Sequence, residues 1–87
     1  MKTIYRNNCA FNGYSYRATG DKEWVNIQVK KSGNVSWETI ETVDSAYFDY
    51  LARSFDIYNP YNQNPAHMTQ IISAIHHGEE DNSYDNN

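Results

Sequence analysis

A chain of 87 residues with 39% hydrophobic side chains has the length of one domain and a modest core, with little room beside it for a deep substrate cleft. Its single cysteine excludes an internal disulfide, and no stretch approaches the ~20 apolar residues of a membrane-spanning helix. The formal net charge of −4 is unevenly spread: six of the seven basic residues lie before position 32 and nine of the eleven acids after it. Asymmetry of this kind bears on partners more than on fold.

In chain order, Thr3-Ile4-Tyr5 can add a short strand, with Cys9-Ala10-Phe11 leading into a hairpin. Met1–Asn8 lacks the apolar run of a signal peptide, so a cytoplasmic protein is expected. Residues 13–19 and 24–30 alternate apolar and polar, the period of half-buried strands, and Gly20-Asp21 between them reads as a two-residue turn. That hairpin pairs Arg17 with Trp24, Tyr16 with Val25 and Tyr14 with Ile27, and sets Tyr14, Tyr16, Val25, Ile27 and Val29 on one face. Ser32-Gly33-Asn34 turns the chain into a third strand, Val35–Ile40. A three-residue loop puts Trp37 on the core face beside Val29, whereas a Gly33-Asn34 loop brings Ile40 inward beside Ile27 and leaves Trp37 outside. A one-residue slip reverses every side chain of the strand, and the pattern leaves both registers open.

Asp44 has the character of a helix N-cap, and Tyr47, Phe48, Leu51, Ala52 and Phe55 recur at helical spacing, with Asp49 and Arg53 forming an i,i+4 pair outside. Residues 56–65 read as an ordered loop. Asn64 caps a second helix, Pro65 suits its first position, and Met68, Ile71, Ile72 and Ile75 give it an apolar stripe. Gly78 is the expected stop, and residues 79–87 form an acidic tail expected to be disordered. The predicted fold is α+β: an antiparallel sheet of three or four strands packed by an aromatic-rich helix, then a second amphipathic helix, with residues 1–78 as one domain.

Chemistry-bearing patterns are sparse. His67 and His76 are nine positions apart, on roughly opposite sides of one helix, and His76 and His77 diverge. Without CxxC or HExxH spacing, no metal site is expected. Cys9 has no neighbouring base and reads as a small buried hydrophobe, the glycines are explained by turns and a cap, and no cofactor motif occurs. A non-enzymatic protein is therefore expected.

Arg17, Lys22, Lys30 and Lys31 lie near one hairpin with Trp24 and Tyr14 interleaved. Such a mixture can stack on nucleic acid, but the acidic balance of the chain opposes phosphate binding. The acidic part offers Glu38, Glu41, Asp49 and Asp56 beside Tyr58 and Tyr61. Carboxylates next to tyrosines suit a basic partner, including a surface that ordinarily holds nucleic acid.

In size, charge and element order the whole chain resembles the small phage-encoded inhibitors of bacterial defence, anti-CRISPR proteins among them, and its eleven asparagines hint at an AT-rich, phage-borne gene. The resemblance rests on no motif. It implies inhibition by binding a nucleoprotein effector at a nucleic-acid-contacting surface. The expected function is a protein-binding inhibitor that uses these six acidic and tyrosine residues. An antitoxin or immunity protein, and a small nucleic-acid-binding regulator using the basic hairpin, are the alternatives.

Overall fold

Alternation along residues 14–31 folds as an antiparallel hairpin inside a four-stranded sheet, and the domain is α+β. The structure, a computed structural model, describes residues 2–11, 13–59, 61 and 64–85, and side chains among these except at 8–11 and 78–85. The Cys9 side chain and residues 86–87 thus lie outside the described residues. Strands β1 (Lys2–Phe11), β2 (Tyr14–Gly20), β3 (Trp24–Lys31) and β4 (Glu38–Asp44) neighbour one another in sequence order, followed by helices α1 (Ser45–Ser54) and α2 (Pro65–Asp85). Among the described residues no helix is long and apolar enough to cross a membrane.

The hairpin keeps the expected faces but not the expected register. Tyr16 pairs with Val29, Arg17 with Gln28 and Ala18 with Ile27. Each strand is therefore displaced by two residues from a turn at Gly20-Asp21, a shift that preserves the alternation. Asp21 causes it. Its backbone N–H donates to the Trp24 carbonyl at 3.0 Å, and its carboxylate accepts from the Glu23 and Trp24 amides at 2.9 and 3.0 Å. The turn thus lies at Lys22-Glu23, closed by an aspartate side chain that mimics backbone. Bonds from Trp24 and then Glu23 hold the Asp21 carboxyl below its ordinary value. Gly20 stays in the strand because the chains approach closely there: a Cβ would sit 2.5 Å from the Trp24 carbonyl oxygen.

The third strand of the sequence pattern begins later than Val35, at Glu38. Near the β3–β4 connection Gln28 pairs with Thr39 and Val29 with Glu38, the register of a Gly33-Asn34 loop, and Trp37 lies outside. Gly33, with φ of +90°, supplies the left-handed turn residue. A bulge at Ile40 then shifts the pairing, so that Glu41 instead of Ile40 stands opposite Ile27 and Val43 stands opposite Val25. At the other edge β1 runs ten residues where a short strand was expected, and register shifts interrupt its pairing with β2.

Asp44 caps α1 as its sequence implies, accepting from the Ala46 and Tyr47 amides at 2.8 and 3.3 Å. The buried face of α1 is Phe48, Leu51 and Ala52, with Phe55 half-buried. Tyr47 was expected inside and is 38% exposed, so the helix packs through one fully buried ring, not a set of aromatics. Asn64 caps α2 through a 3.0 Å bond from the Ala66 amide, and Pro65 opens it. Gly78 does not end α2, whose helical backbone continues to Asp85 across part of the segment expected to be a disordered tail.

Both helices cover one face of the sheet. Tyr5, Tyr16, Ala18, Val25, Ile27 and Val43 from the strands share a core with Phe48, Leu51, Ala52, Ile57, Met68, Ile71 and Ile75. Ile27 is fully buried at its centre. Ile27→Ala should therefore lower unfolding free energy by ~2–4 kcal/mol in a denaturant melt, a large share of the stability of so small a domain. A loss below ~0.5 kcal/mol would place Ile27 on the wrong face.

Candidate functional site

The segment from α1 through the loop after it leaves its largest rings in solvent. On α1, Phe48, Leu51 and Ala52 point to the core, and the 100° step of the helix turns Tyr50, Asp49 and Arg53 away from it. Tyr50 is 66% exposed. Asp49 uses both carboxylate oxygens, one on Arg53 Nε at 3.1 Å and the other accepting from the Tyr58 hydroxyl at 3.2 Å. That bond brings the loop back across the helix and joins Tyr58 to the Asp49–Arg53 pair.

The loop is fixed by a left-handed aspartate. Asp56 has φ of +55°, the position after a helix end that glycine usually takes. Its N–H donates to the Arg53 carbonyl at 3.2 Å, and the next N–H, of Ile57, donates to the Ala52 carbonyl at 3.0 Å. These are the two bonds of a Schellman cap, and Ile57 is buried behind it as the accompanying apolar contact. Asn59 then braces the turn: its amide donates to Asp56 at 3.3 Å and its carbonyl oxygen accepts from the Tyr61 backbone at 2.9 Å. Tyr61 stands on this braced backbone with 97% of its surface exposed.

Burial first, then the bond to Asp49 and its charge, pushes the Tyr58 hydroxyl up to about 12, with Arg53 pulling weakly the other way. Tyr58 also lines an open pocket of about 740 Å3 with Lys2, Thr3, Ile4, Gly20, Asp21 and Lys22. Lys2 and Lys22, together with Asp21, thus lie on one side of Tyr58 and the Asp49–Arg53 pair on the other.

The six residues that sequence points to divide in two. Asp49 and Tyr58 are in contact, and Asp56 and Tyr61 belong to the same braced turn. Glu38 and Glu41 lie on β4 instead. Glu38 is exposed, whereas the Glu41 side chain is 13% exposed and lies 2.9 Å from His76 Nε2, joining β4 to α2. Its carboxylate is occupied within the fold and presents little surface to a partner.

Two further tyrosines, Tyr47 and Tyr50, stand outside those six. Helical spacing assigns Tyr47 to the core, yet it is partly exposed, and the helical wheel places Tyr50 opposite the core residues, a signal present in the sequence. The Phe55 and His67 rings lie 6.5 Å apart, consistent with a structural role for that histidine. Among the described residues no group of three metal-binding side chains occurs. Comparison with family models, curated proteins and solved structures gives no match, so a functional assignment rests on this geometry.

Asp56→Gly should stabilise the fold by about 1 kcal/mol, because glycine adopts the left-handed conformation without the Cβ penalty; unchanged or lower stability would show that the Asn59 brace outweighs it. In an ultraviolet pH titration Tyr58→Phe should remove a component near pH 12, and Asp49→Asn should move it toward the ordinary tyrosine range. The unfolded tyrosine ionises first, near 10, so Tyr58 should cost the fold stability as pH rises from about 10 to 12.

Proposed function

We propose that the protein is a non-enzymatic binding module whose partner docks on Tyr50, Tyr58 and Tyr61 with Asp49 and Asp56 among them. The observation that carries this reading is the exposure of large rings on one braced segment: Tyr50 at 66%, Tyr58 at 42% and Tyr61 at 97%. Tyrosine combines a wide apolar surface with a hydroxyl and only two side-chain torsions, which is why it concentrates in binding surfaces. A backbone already held by the Schellman cap and the Asn59 bonds lowers the ordering cost on association. Strain retained at Asp56, where glycine would relax it, supports a role for that carboxylate beyond folding.

The partner proposed is a protein with a basic, nucleic-acid-contacting surface, and the action proposed is inhibition by masking it. Support for this finer reading is the net charge of −4, the small size, and the general resemblance to phage-encoded inhibitors of bacterial defence. Carboxylates at the rim of such an interface accelerate encounter, while the rings carry most of the binding energy.

The test uses purified bacterial nucleoprotein effectors, free and loaded with nucleic acid. The chain should bind the free form, and nucleic acid should compete. Tyr61→Ala or Tyr50→Ala should weaken binding at least tenfold, about 1.4 kcal/mol. Asp56→Lys should slow association and reduce its salt dependence, whereas Lys31→Glu should change little. Nucleic acid retained in the effector's own site while the chain is bound would overturn the masking action, and tyrosine variants that bind like the parent would overturn the site.

A further inference from the structure

The face of the sheet away from the helices carries a concentration of positive charge. Trp37, at the end of the β3–β4 connection, has Arg17 Cζ 4.5 Å from its ring centroid, Lys30 Nζ at 5.1 Å and Arg6 Cζ at 5.9 Å. Three strands and one loop supply these four side chains. Among the described residues no carboxylate pairs with any of the three cations. The nearby acids of β4 and the β4–α1 junction are committed elsewhere or lie toward the helices: Glu41 meets His76, Glu38 stands opposite Val29, and the Asp44 carboxylate caps α1.

The rest of this face is neutral and hydrogen-bonding. Arg17 Nε donates to Gln28 Oε1 at 2.6 Å, Gln28 Nε2 donates to Thr39 Oγ1 at 2.9 Å, and Thr42 Oγ1 donates to Asn26 Oδ1 at 2.7 Å. Gln28 occupies Nε and orients the guanidinium plane, so its forked edge is the part available to an oxyanion. Trp24, on the same side of β3 as Asn26 and Gln28, is 54% exposed. From Trp24 to Lys30 along β3 is about 20 Å, enough for a short run of nucleotides.

We propose that this face binds single-stranded nucleic acid, with Arg6, Arg17 and Lys30 holding phosphates, Trp24 stacking on a base, and Trp37 preorganising the cations. Charge complementarity favours a polyanion, and the aromatic and amide groups favour bases over a carboxylate chain. Stacking on exposed rings tolerates any base, whereas a carboxylate chain has no flat face to offer Trp24. The whole-chain charge of −4 weakens phosphate binding. Locally, Glu38 and Glu41 lie toward the helices while Asp21 and Glu23 stand at the Trp24 end, so the cations nearest Trp37 are the part of the face that favours an anion. Trp37 contributes through its ring quadrupole, which offsets repulsion among the three cations while no ligand is bound.

The face lies across the sheet from α1 and its loop, so the two sites can be tested separately in the full chain. Fluorescence anisotropy with labelled dT12 and U12 should show binding at low salt, with log K falling against log salt at a slope near −2 for three phosphates on a single strand. Arg17→Glu and Arg6→Glu should each weaken binding at least tenfold, and Trp24→Ala should weaken it several-fold without changing the salt slope. Arg17→Lys keeps the charge and should lose only part of the affinity, which guards against a loss caused by misfolding of the glutamate variant. Tyr61→Ala should leave oligonucleotide binding unchanged while it weakens protein binding. Absence of oligonucleotide binding at 50 mM salt by the folded chain would overturn the proposal. So would polyglutamate binding as tightly as dT12 with Trp24→Ala having no effect, which would make an acidic protein segment the occupant.

Discussion

Packing of Val25, Ile27 and Val43 in one core with Phe48, Met68, Ile71 and Ile75 is the contact on which the remaining structure depends, because it assigns a side to every residue of the sheet. Period-two alternation then leaves the intervening residues, Asn26, Gln28, Arg17 and Thr42, on the opposite side. A chain of this length has one helical layer to give, so the second side must remain compatible with water. Its polar and cationic character follows from that requirement. The grouping of three cations round one tryptophan does not, since solvation alone would be satisfied by dispersed charge of both signs.

Local chemistry was more legible in the sequence than pairing. Asp44 and Asn64 cap the helices, Pro65 starts α2, and Asp49 meets Arg53, because each of these depends on neighbours a few residues away. The faces of β2 and β3 were also readable, since alternation survives any even displacement. Their register was not, because Gly20-Asp21 resembles a turn while the Asp21 carboxylate closes a different one at Lys22-Glu23. The β4 register stayed open in sequence because two loop lengths fit the turn: the Gly33-Asn34 register holds next to the connection, and past the bulge at Ile40 the pairing follows neither alternative.

The candidate site was only half legible. Asp49, Asp56, Tyr58 and Tyr61 come from one continuous segment, and the structure keeps them there. Glu41 joined them on charge alone, and its tie to His76 depends on a long-range fold that no local pattern announces. Nor did the pattern reveal that Asp56 is left-handed, because aspartate is a common turn residue with several conformations open to it. The Trp37 cluster was hidden by the open register: only the pairing that leaves Trp37 outside can bring Arg6, Arg17 and Lys30 to one ring.

Opposite character on the two sides gives the domain a use for its thinness. Tyrosines and carboxylates are presented from the helical layer, and cations with amides and hydroxyls from the bare sheet, with one shared core between them. A target composed of protein and nucleic acid offers both kinds of surface within a short distance. A module that holds basic protein on one side and a phosphate chain on the other gains from effective concentration: once one side is engaged, the second contact is intramolecular. Each face then needs only modest affinity of its own, which is what three clustered cations and a few tyrosines can supply. The two proposed sites are thus physically compatible in a single small domain, and each can exist without the other.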